Sequence, residues 1–345
     1  MTTVLLTSAG SLVGQNILEA LAGRRENLRI IGMNTDIAHD NLRECDLVIE
    51  SPATQAPNFI SEVEEVCLKH KVELVIPCRD EDVLALAYAR DREDSPINLL
   101  AARTEFIEAA RDKWQSFLRF GETGINFCPT LCTDDAELVT KLGGFVTEWG
   151  FPMIAKPRVG NASQGVRVLL GLEHLNEAIR IPGRLIQPFL SPPTSEQLNF
   201  DTRAGVPLFW EVPTDNFKAV TILISRTGDS TDWYCTSSIL RLGRLEKMTR
   251  DDDPSLRDYA RSCVATLLEL DWRGPIMLQV GKDRIGQWRA FEVNPRFSGG
   301  TSSRFLLGFD EVGTFINDWF GRDIVPGSEI TPVDVVHRSL RPRPV

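Results

Sequence analysis

Residues 1–101 alternate short apolar strands with amphipathic helices, and no other feature of the chain constrains its fold so strongly. The predicted elements are strands at 3–7, 29–33 and 73–77 and helices near 12–23, 58–70 and 80–91. Strands that alternate with helices of about 10–15 residues indicate βαβ units and a parallel sheet. The segment 97–101 would complete this unit, so we expect a Rossmann-like βαβ domain over residues 1–101.

The composition restricts the kind of protein that the chain can be. Its 345 residues contain 38 Lys and Arg against 48 Asp and Glu, and this net charge of −10 lacks the electrostatic footprint of a nucleic-acid-binding protein. No apolar run approaches the roughly 18–20 residues of a membrane span, and the N-terminus lacks the charged region of a signal peptide. The 7 cysteines are scattered without a C-x-x-C pair, which argues against a disulfide framework. We therefore expect a cytoplasmic protein that binds neither nucleic acid nor membrane.

The rest of the chain is predicted to form α+β units. These are a linking helix at 102–124 (its helical pattern spans 104–122), a lid subdomain at 125–190 with a helix near 134–148, a larger subdomain at 191–330 and a tail at 331–345. Between residues 196 and 240 the strand-like runs LNFDT, PLFWEV, AVTILI and WYCTSSIL favour an antiparallel sheet.

Two further patterns concern the end of the chain. Asp253 followed by Pro254 is typical of a helix start, and the last helix is predicted near 303–320. The tail is basic and rich in proline, a composition typical of disordered segments.

The turn after the first strand matches a dinucleotide-binding fingerprint only in part. Gly10 and Gly14 open the first helix, and Asp36 ends the second strand, where an acidic residue would bind a ribose. However, G-x-x-x-G replaces G-x-G-x-x-G, and the glycine that lets a pyrophosphate approach is missing. An NAD-dependent Rossmann oxidoreductase is therefore the less favoured alternative to a tight β-to-α turn that could line a small-substrate pocket.

A single lysine ends an otherwise apolar strand in the segment FPMIAKP. Lys156 is either solvated at the strand end or directed at a phosphate, and the loop 157–165, rich in small residues, follows it. Loops of this kind can direct backbone N–H groups at an anion. The motif is not a Walker A motif, because the lysine precedes the loop and no helix is predicted to follow.

Three oxygen-bearing side chains lie on a predicted hairpin. If the turn is centred on residues 284–285, Gln279 faces Ala290 and Glu292 is its diagonal neighbour on the same face. Glu292 and Asn294 are two residues apart and share that face as well. Such a set suits Mg²⁺, which prefers oxygen ligands, although a charged strand end would show the same residues.

These motifs, together with Lys113, occur in the order that the ATP-grasp superfamily carries them. The chain resembles this superfamily, and most closely the single-module relatives of the carbamoyl-phosphate synthetase large chain and biotin carboxylase. The segments that carry the resemblance are RDKWQSFLRFGETGINFCPT, FPMIAKPRVGNASQGVRVL, LIQPFL and MLQVGKD through FEVNPRFSGG. The first unit resembles the pre-ATP-grasp domain. The resemblance thus implies an ATP-grasp fold, of mixed α/β and α+β class, preceded by a Rossmann-like pre-ATP-grasp βαβ domain.

The resemblance also implies residues that bind ATP. They are Lys113, Lys156, Gly160, Ser163, Gln164, Gly165, Gln187, Phe189, Leu190 and Glu196. The two lysines would contact the phosphates, and the loop 160–165 would cover them, although it has fewer glycines than the Gly-rich versions. Residues 187–190 would contact the adenine through backbone groups, with the amides after Pro188 available for it. Glu196 would accept hydrogen bonds from the ribose.

Metal and catalytic roles follow from the same resemblance. Gln279, Glu292 and Asn294 would hold Mg²⁺, which Mn²⁺ could replace. Arg296 and Arg241 would stabilise charge on the phosphoryl group in transfer. The implied activity is an ATP- and Mg²⁺-dependent ligase that joins a carboxylate to an amine through an acyl phosphate.

The implied partners are small-molecule carboxylate and amine substrates, and a homodimer would be compatible with them. The sequence shows no biotin-carrier segment, second ATP-grasp copy or glutaminase-like domain, so biotin carboxylation and complete carbamoyl-phosphate synthesis are not expected. A non-catalytic or regulatory ATP-binding protein is the alternative in the case of an incomplete ligand set.

Overall fold

The computed structural model describes residues 1–160, 163–192, 217–229, 231–241 and 244–338, except for the side chains of Arg241 and Arg244. Within these ranges one parallel and two antiparallel sheets carry the fold. The mixed α/β class predicted from the sequence is therefore confirmed.

A four-stranded parallel sheet is built from the first part of the chain. Its elements are β1 (Thr2–Thr7), α1 (Leu12–Leu21), β2 (Leu28–Asn34), a 3₁₀ helix (Asp40–Glu44), β3 (Leu47–Glu50), α2 (Phe59–His70), β4 (Leu74–Pro77) and α3 (Asp80–Arg90). The strand order is β3-β2-β1-β4, so the direction of winding reverses between β1 and β4. The predicted βαβ pattern is confirmed, and β3, a short half-buried edge strand, was not predicted.

The single helix predicted over 104–122 is wrong, because two helices occupy this segment. They are α4 (Thr104–Arg111) and α5 (Lys113–Gly121). Between them Asp112 has an extended backbone, with φ −99° and ψ 112°, and its side chain accepts from the amides of Trp114 and Gln115. Aspartate is a preferred N-cap because it satisfies the free amides of a helix start, so a new helix begins here.

A four-stranded antiparallel sheet follows. Its elements are β5 (Leu131–Cys132), α6 (Leu138–Trp149), β6 (Met153–Pro157), β7 (Arg167–Leu169), α7 (Leu172–Ala178) and β8 (Arg184–Pro188), with the strand order β5-β8-β6-β7. The predicted strand–loop–strand around Lys156 is confirmed by the pairing of β6 with β7. The helix predicted near 134–148 begins later, at Leu138.

A six-stranded antiparallel sheet forms the last part. Its elements are β9 (Phe217–Ile224), β10 (Thr231–Arg241), β11 (Arg244–Arg250), α8 (Pro254–Glu269), β12 (Gly274–Lys282), β13 (Trp288–Asn294), α9 (Thr301–Leu306), α10 (Glu311–Phe320) and β14 (Val335–His337), with the strand order β13-β12-β9-β10-β11-β14. The runs AVTILI and WYCTSSIL lie in β9 and β10 as predicted, whereas LNFDT and PLFWEV lie outside the described residues. Asp253 caps α8, as predicted.

One prediction for the end of the chain is wrong, and another is tested only at its first residues. The single helix near 303–320 is two helices, because Gly308 takes φ +96° and Asp310 then caps α10. The segment HRSLRPRPV, whose composition is typical of disorder, is described only at His337 and Arg338, and His337 pairs with Lys247 of β11. Residues 339–345 lie outside the described part of the chain.

Three hydrophobic cores hold these sheets together. The first core packs one face of the parallel sheet, including Leu5, against residues of the six-stranded sheet such as Ile276. The second core packs its other face against the last helices, where Phe315 lies. The third core belongs to the four-stranded antiparallel sheet and its helices and includes Met153. No helix in the described ranges combines the length and apolar character needed to cross a bilayer.

Candidate active site

Lys156 lies at the end of β6, where the four-stranded antiparallel sheet meets β13. The residue is 5% exposed, and its Nζ donates to the backbone carbonyl of Phe291 at 2.8 Å. Burial lowers the pKa of Lys156 to about 8, and the nearby carboxylate of Glu292 opposes this shift. A lysine held out of water gains from an anionic ligand, because such a ligand restores the stabilisation of its charge.

Lys113, the first residue of α5, brings a second ammonium group to the same place. Its Nζ donates to the carbonyl of Gly160 at 2.7 Å and lies 3.9 Å from Oε1 of Glu292. Two lysines that come from different elements therefore lie near the carboxylate of Glu292, Lys113 as an ion pair and Lys156 close enough for the carboxylate to influence its pKa. Gly160 takes φ +150°, a backbone conformation that residues with a side chain rarely adopt, and its carbonyl faces Lys113.

The Asp112 carboxylate connects α5 to the loop that follows Lys156. Besides capping α5, this carboxylate accepts a hydrogen bond from the Arg158 guanidinium at 2.6 Å. The amide of Lys113 donates to the Arg158 carbonyl at 3.0 Å. Arg158 also reaches Asp134 at 3.3 Å. These bonds fix the start of the loop beside the lysines, and they also fix the direction in which Lys113 leaves the helix.

Gln279 on β12 and Glu292 on β13 are direct cross-strand partners. The prediction that Gln279 faces Ala290 is wrong, because an irregularity between Gln279 and Val280 shifts the register and leaves Ala290 opposite Val280. Directly opposed residues have Cβ atoms about 4.5–5.5 Å apart, closer than diagonal neighbours. The bulge therefore brings the amide and the carboxylate nearer to each other than the sequence predicted.

Asn294 and Arg296 follow at the end of β13 and form one hydrogen-bonded group. Nη2 of Arg296 donates to Oδ1 of Asn294 at 3.2 Å and to Oδ2 of Asp80 at 2.6 Å, while Nη1 donates to the carbonyl of Phe297 at 2.9 Å. Asp80 is the first residue of α3, the helix that follows the parallel strand β4. The group joins the end of β13 to the carboxyl end of β4, beside the point where the winding of the parallel sheet reverses.

The side-chain oxygen atoms on the hairpin of β12 and β13 fit a small divalent cation. Glu292 offers a carboxylate, Gln279 offers an amide oxygen, and Oδ1 of Asn294 has a second lone pair besides the one that Arg296 uses. In the described ranges no group of three or more His, Cys, Asp and Glu side chains is arranged to hold a metal. A cation here would thus depend on amide oxygens as well as on Glu292, and oxygen ligands of this kind suit Mg²⁺.

The segment after β8, predicted to contact adenine, is anchored on both sides. The amide of Phe189 donates to the carbonyl of Pro152 at 3.2 Å, so the expectation that it is free for a ligand is wrong in this structure. The amide of Ser191 donates to the carbonyl of Lys282 at 2.8 Å. Among the described residues none accepts from the amide of Leu190, which leaves this N–H as the one open to a base edge.

Gly281 explains how this segment can lie so close to β12. A Cβ atom at this position would lie 2.7 Å from the Cβ of Leu190, a distance that real side chains do not reach. The glycine therefore lets Leu190 pack directly on the strand that also carries Gln279.

The remaining predicted site residues take no part in the contacts described above. The side chain of Gln187 is buried and donates to Oγ1 of Thr130 at 2.8 Å, so it stabilises the sheet and does not point outward. Ser163, Gln164 and Gly165 form the turn before β7. Arg241 ends β10 opposite Arg244, and its side chain is not among those described. Glu196 lies outside the described residues.

Sequence reasoning missed two ion pairs of the site. Asp80 is 216 residues from Arg296, and no local pattern indicates their ion pair. The pair of Asp112 and Arg158 was missed because Asp112 fell inside a predicted helix. An aspartate just before a helical segment is a known signal for the start of a helix, and on that signal two helices would have been predicted in place of one.

The chain is similar to several known proteins in its fold, but not in its sequence. The chain matches no protein-family model and no curated protein sequence. N5-carboxyaminoimidazole synthetase from Staphylococcus aureus is similar, with a TM-score of 0.67, 12% identity, and coverage of 94% of this chain and 78% of that one. Biotin carboxylase from Campylobacter jejuni has a TM-score of 0.68, 13% identity, and coverage of 94% and 72%.

A third similar structure is the biotin carboxylase domain of 2-oxoglutarate carboxylase from Hydrogenobacter thermophilus, in complex with MgADP, ADP and bicarbonate. Its TM-score is 0.68 at 15% identity, with coverage of 94% of this chain and 72% of that one. These similarities extend over the parallel sheet and both antiparallel sheets. The chain therefore has the fold of the ATP-grasp enzymes, preceded by a Rossmann-like domain, as its motifs predict.

Proposed function

We propose that the chain is an ATP- and Mg²⁺-dependent ligase that joins a small carboxylate to an amine through an acyl phosphate. The observation that carries the proposal is the convergence of Lys113 and Lys156 on Glu292, from three separate elements. Two largely buried ammonium groups beside a single carboxylate leave an excess of positive charge, which suits a polyphosphate. The ADP held by similar structures supports a nucleotide as this ligand.

The phosphates of ATP would replace the present partners of the two lysines. Lys156 now donates to the Phe291 carbonyl and Lys113 to the Gly160 carbonyl. Hydrogen bonds from ammonium groups to phosphate are stronger than those to neutral carbonyls. The open amide of Leu190 would then contact the adenine from the segment after β8.

A bound Mg²⁺ would offset charge on the phosphate oxygens and keep them in position for transfer. Glu292 and Gln279 would hold it, with the Asn294 oxygen as a third ligand. Arg296 lies next to this set, so its guanidinium can bind an anion close to the end of β13.

The reaction would proceed in two steps. An oxygen of the substrate carboxylate attacks the γ-phosphorus and breaks its bond to ADP, which gives an acyl phosphate. The amine then attacks the carbonyl carbon, phosphate leaves with the C–O bonding pair, and the amine loses one proton to solvent. Arg296 would bind the carboxylate and the phosphoryl group in the first step, and positioning and charge stabilisation would supply the catalysis.

The experiment that tests the proposal measures phosphate release from Mg-ATP with a panel of carboxylates, each with and without a panel of amines. We expect at least one carboxylate to stimulate release, and an amine to increase the yield of coupled product. ATP that binds without hydrolysis under every condition would contradict the ligase and favour a regulatory nucleotide-binding protein. Failure to bind ATP at all would reject both.

Single substitutions connect this activity to the site. Lys156→Ala and Glu292→Ala should each reduce phosphate release at least about 100-fold. The first substitution removes a cation that would bind the phosphates, and the second removes the carboxylate that would hold Mg²⁺. Lys69→Ala, an exposed lysine on α2, is the matched control and should keep full activity. Circular dichroism would establish that all three variants are folded.

A further inference from the structure

Arg296 is held by acceptors from two distant parts of the chain. Its guanidinium binds Asp80 at the start of α3, Asn294 at the end of β13 and the carbonyl of Phe297. Its side chain is 13% exposed and that of Asp80 is 24% exposed, so solvent screens their ion pair only in part. The pair is thus a well-formed contact between the parallel sheet and the candidate active site.

The same arrangement leaves two buried donors unused. Neither Nε of Arg296 nor Nδ2 of Asn294 has a hydrogen-bond partner among the described residues, and both atoms are buried. A buried donor without an acceptor costs free energy, and native structures rarely keep one. An additional hydrogen-bond acceptor beside Arg296 and Asn294 would therefore lower the free energy of this group.

Asp80 can lose its ion pair with Arg296 at a small cost in free energy. It occupies the first turn of α3, where the helix dipole favours a negative charge, and α3 has no side-chain N-cap from Arg79. Arginine binds carboxylates and phosphates through the same paired geometry, so an anion that reaches Arg296 competes directly with Asp80.

We propose that Asp80 is a positioning residue that holds Arg296 while the site is empty, and that an oxyanion takes its place when it binds. The identification of this oxyanion as the substrate carboxylate or the transferring phosphoryl group rests on the proposed function. The exchange frees the guanidinium for the ligand and gives the two unused donors an acceptor. Asp80 therefore lowers the affinity of the site for anions in general and keeps Arg296 from acting before a substrate is present.

A binding experiment tests this without catalysis. Inorganic phosphate is titrated by calorimetry into the full chain saturated with MgADP, and also into the chain without nucleotide. We expect Asp80→Asn to bind phosphate about tenfold more tightly than the natural chain, because the competing carboxylate is gone. The gain should vanish in Asp80→Asn/Arg296→Gln. Equal or weaker binding by Asp80→Asn, or a gain that survives the loss of Arg296, would overturn the proposal.

The matched control is Glu93→Gln, which removes one negative charge from an exposed loop after α3 and should bind phosphate like the natural chain. Thermal unfolding identifies any variant that fails to fold, and Asp80→Ser then provides a second replacement without charge. A purely structural role of Asp80 would weaken phosphate binding, so the sign of the change separates the two possibilities.

Kinetics supply an independent readout once a stimulating carboxylate is known. Asp80→Asn should lower the KM for that carboxylate about tenfold, leave the KM for ATP unchanged, and raise phosphate release without carboxylate. An unchanged or higher KM for the carboxylate would contradict the proposal. If no carboxylate stimulates the natural chain, the proposed function has failed, and the phosphate titration still decides the role of Asp80.

Discussion

Lys156 is a charged residue of the candidate site that is held almost entirely out of water. It is almost fully buried, and burial lowers its pKa to about 8, against 10.5 for an ordinary lysine. Its ammonium is nonetheless the form that a phosphate would bind. The state of this one proton therefore determines how strongly the free protein attracts a nucleotide.

Nucleotide affinity should consequently fall at alkaline pH. We expect the affinity for ADP, measured by calorimetry without metal between about pH 6.5 and 9.5, to decrease as the pH rises through about 8, where Lys156 loses its proton. Lys156→Arg is the control, because a guanidinium keeps its charge over this range, and its affinity for ADP should not fall as the pH rises through about 8. An affinity that stays constant up to pH 9.5 in the natural chain would contradict the prediction.

The free energy of unfolding should change in the opposite direction over a neighbouring range. Between about pH 8 and 10.5 the unfolded chain binds the Lys156 proton and the folded chain does not, so this group makes unfolding more costly as the pH rises. Below about pH 8 both states are protonated, and the group contributes no further pH dependence. At neutral pH the buried charge of Lys156 therefore lowers the free energy of unfolding, and the same charge supplies the site with a cation.

At the scale of elements, the start of α5 determines how the lysines and the loop meet. Asp112 ends the preceding helical segment, caps α5 and binds Arg158. Lys113 is consequently the first residue of a helix, and its Nζ can reach Gly160. A continuous helix through residue 112 would have given Lys113 a different direction.

Asp112→Ala should therefore affect both stability and binding. We expect a loss of about 1 kcal/mol in the free energy of unfolding, typical of a lost N-cap. The Kd for ADP should increase about tenfold as well, because Lys113 and the start of the loop lose their common anchor. Urea unfolding and calorimetry would measure the two effects.

Asp310→Ala is the matched control for this substitution. Asp310 also caps a helix, α10, and also binds an arginine, Arg24, but it is not among the residues of the candidate site. It should show a similar loss of stability with an unchanged Kd for ADP. Equal effects of the two substitutions on ADP binding would mean that Asp112 acts only through global stability.

For the whole molecule, the first two cores make the parallel sheet depend on the last part of the chain. Alternate residues of β1 point into different cores, Leu5 into the first and Leu6 into the second. Both faces of the sheet are therefore covered in part by elements that come much later in the sequence, next to its own helices α1 to α3. The third core is formed without them. The predicted domain limits near residues 101, 124 and 190 stay predictions.

A substitution in α10 should accordingly loosen β1. Phe315→Ala opens a cavity next to Phe297 in the second core, at an expected cost of about 3–5 kcal/mol. Hydrogen exchange should then show reduced protection of β1 amides, although the substitution lies in another unit. The amides of β6 and β8, next to the third core, should keep their protection and serve as the internal reference. Unchanged protection of β1 would mean that the parallel sheet is stable by itself.

Much of the fold and several residues of the candidate site could be predicted from the sequence, because their signals are local. The alternation of strands and helices predicted the parallel sheet, since residues near each other in sequence form each element. Lys156 stood out as a single charge at the end of an apolar strand, and Asp253 with Pro254 gave the start of α8. Each of these patterns depends on a few neighbouring residues.

Interruptions of an element were predicted less well. The predicted helices over 104–122 and 303–320 are each two helices, because a cap at Asp112 in one and Gly308 before a cap at Asp310 in the other outweigh the apolar spacing. In the hairpin of β12 and β13 an irregularity changes the register, and the partner of Gln279 becomes Glu292. A single residue decides such events, so a pattern averaged over many positions does not show them.

The sequence by itself determined which side chains could carry the chemistry and on which elements they lie. Only the tertiary structure decided that Lys113 reaches Gly160, that the Phe189 amide is already bonded, and that Asp80 holds Arg296. These contacts join residues that are far apart in the sequence, and they form only when the elements that carry those residues pack or pair with one another. The free energy of that packing comes from three cores made of distant segments, and no local pattern in the chain records which residues those cores bring together.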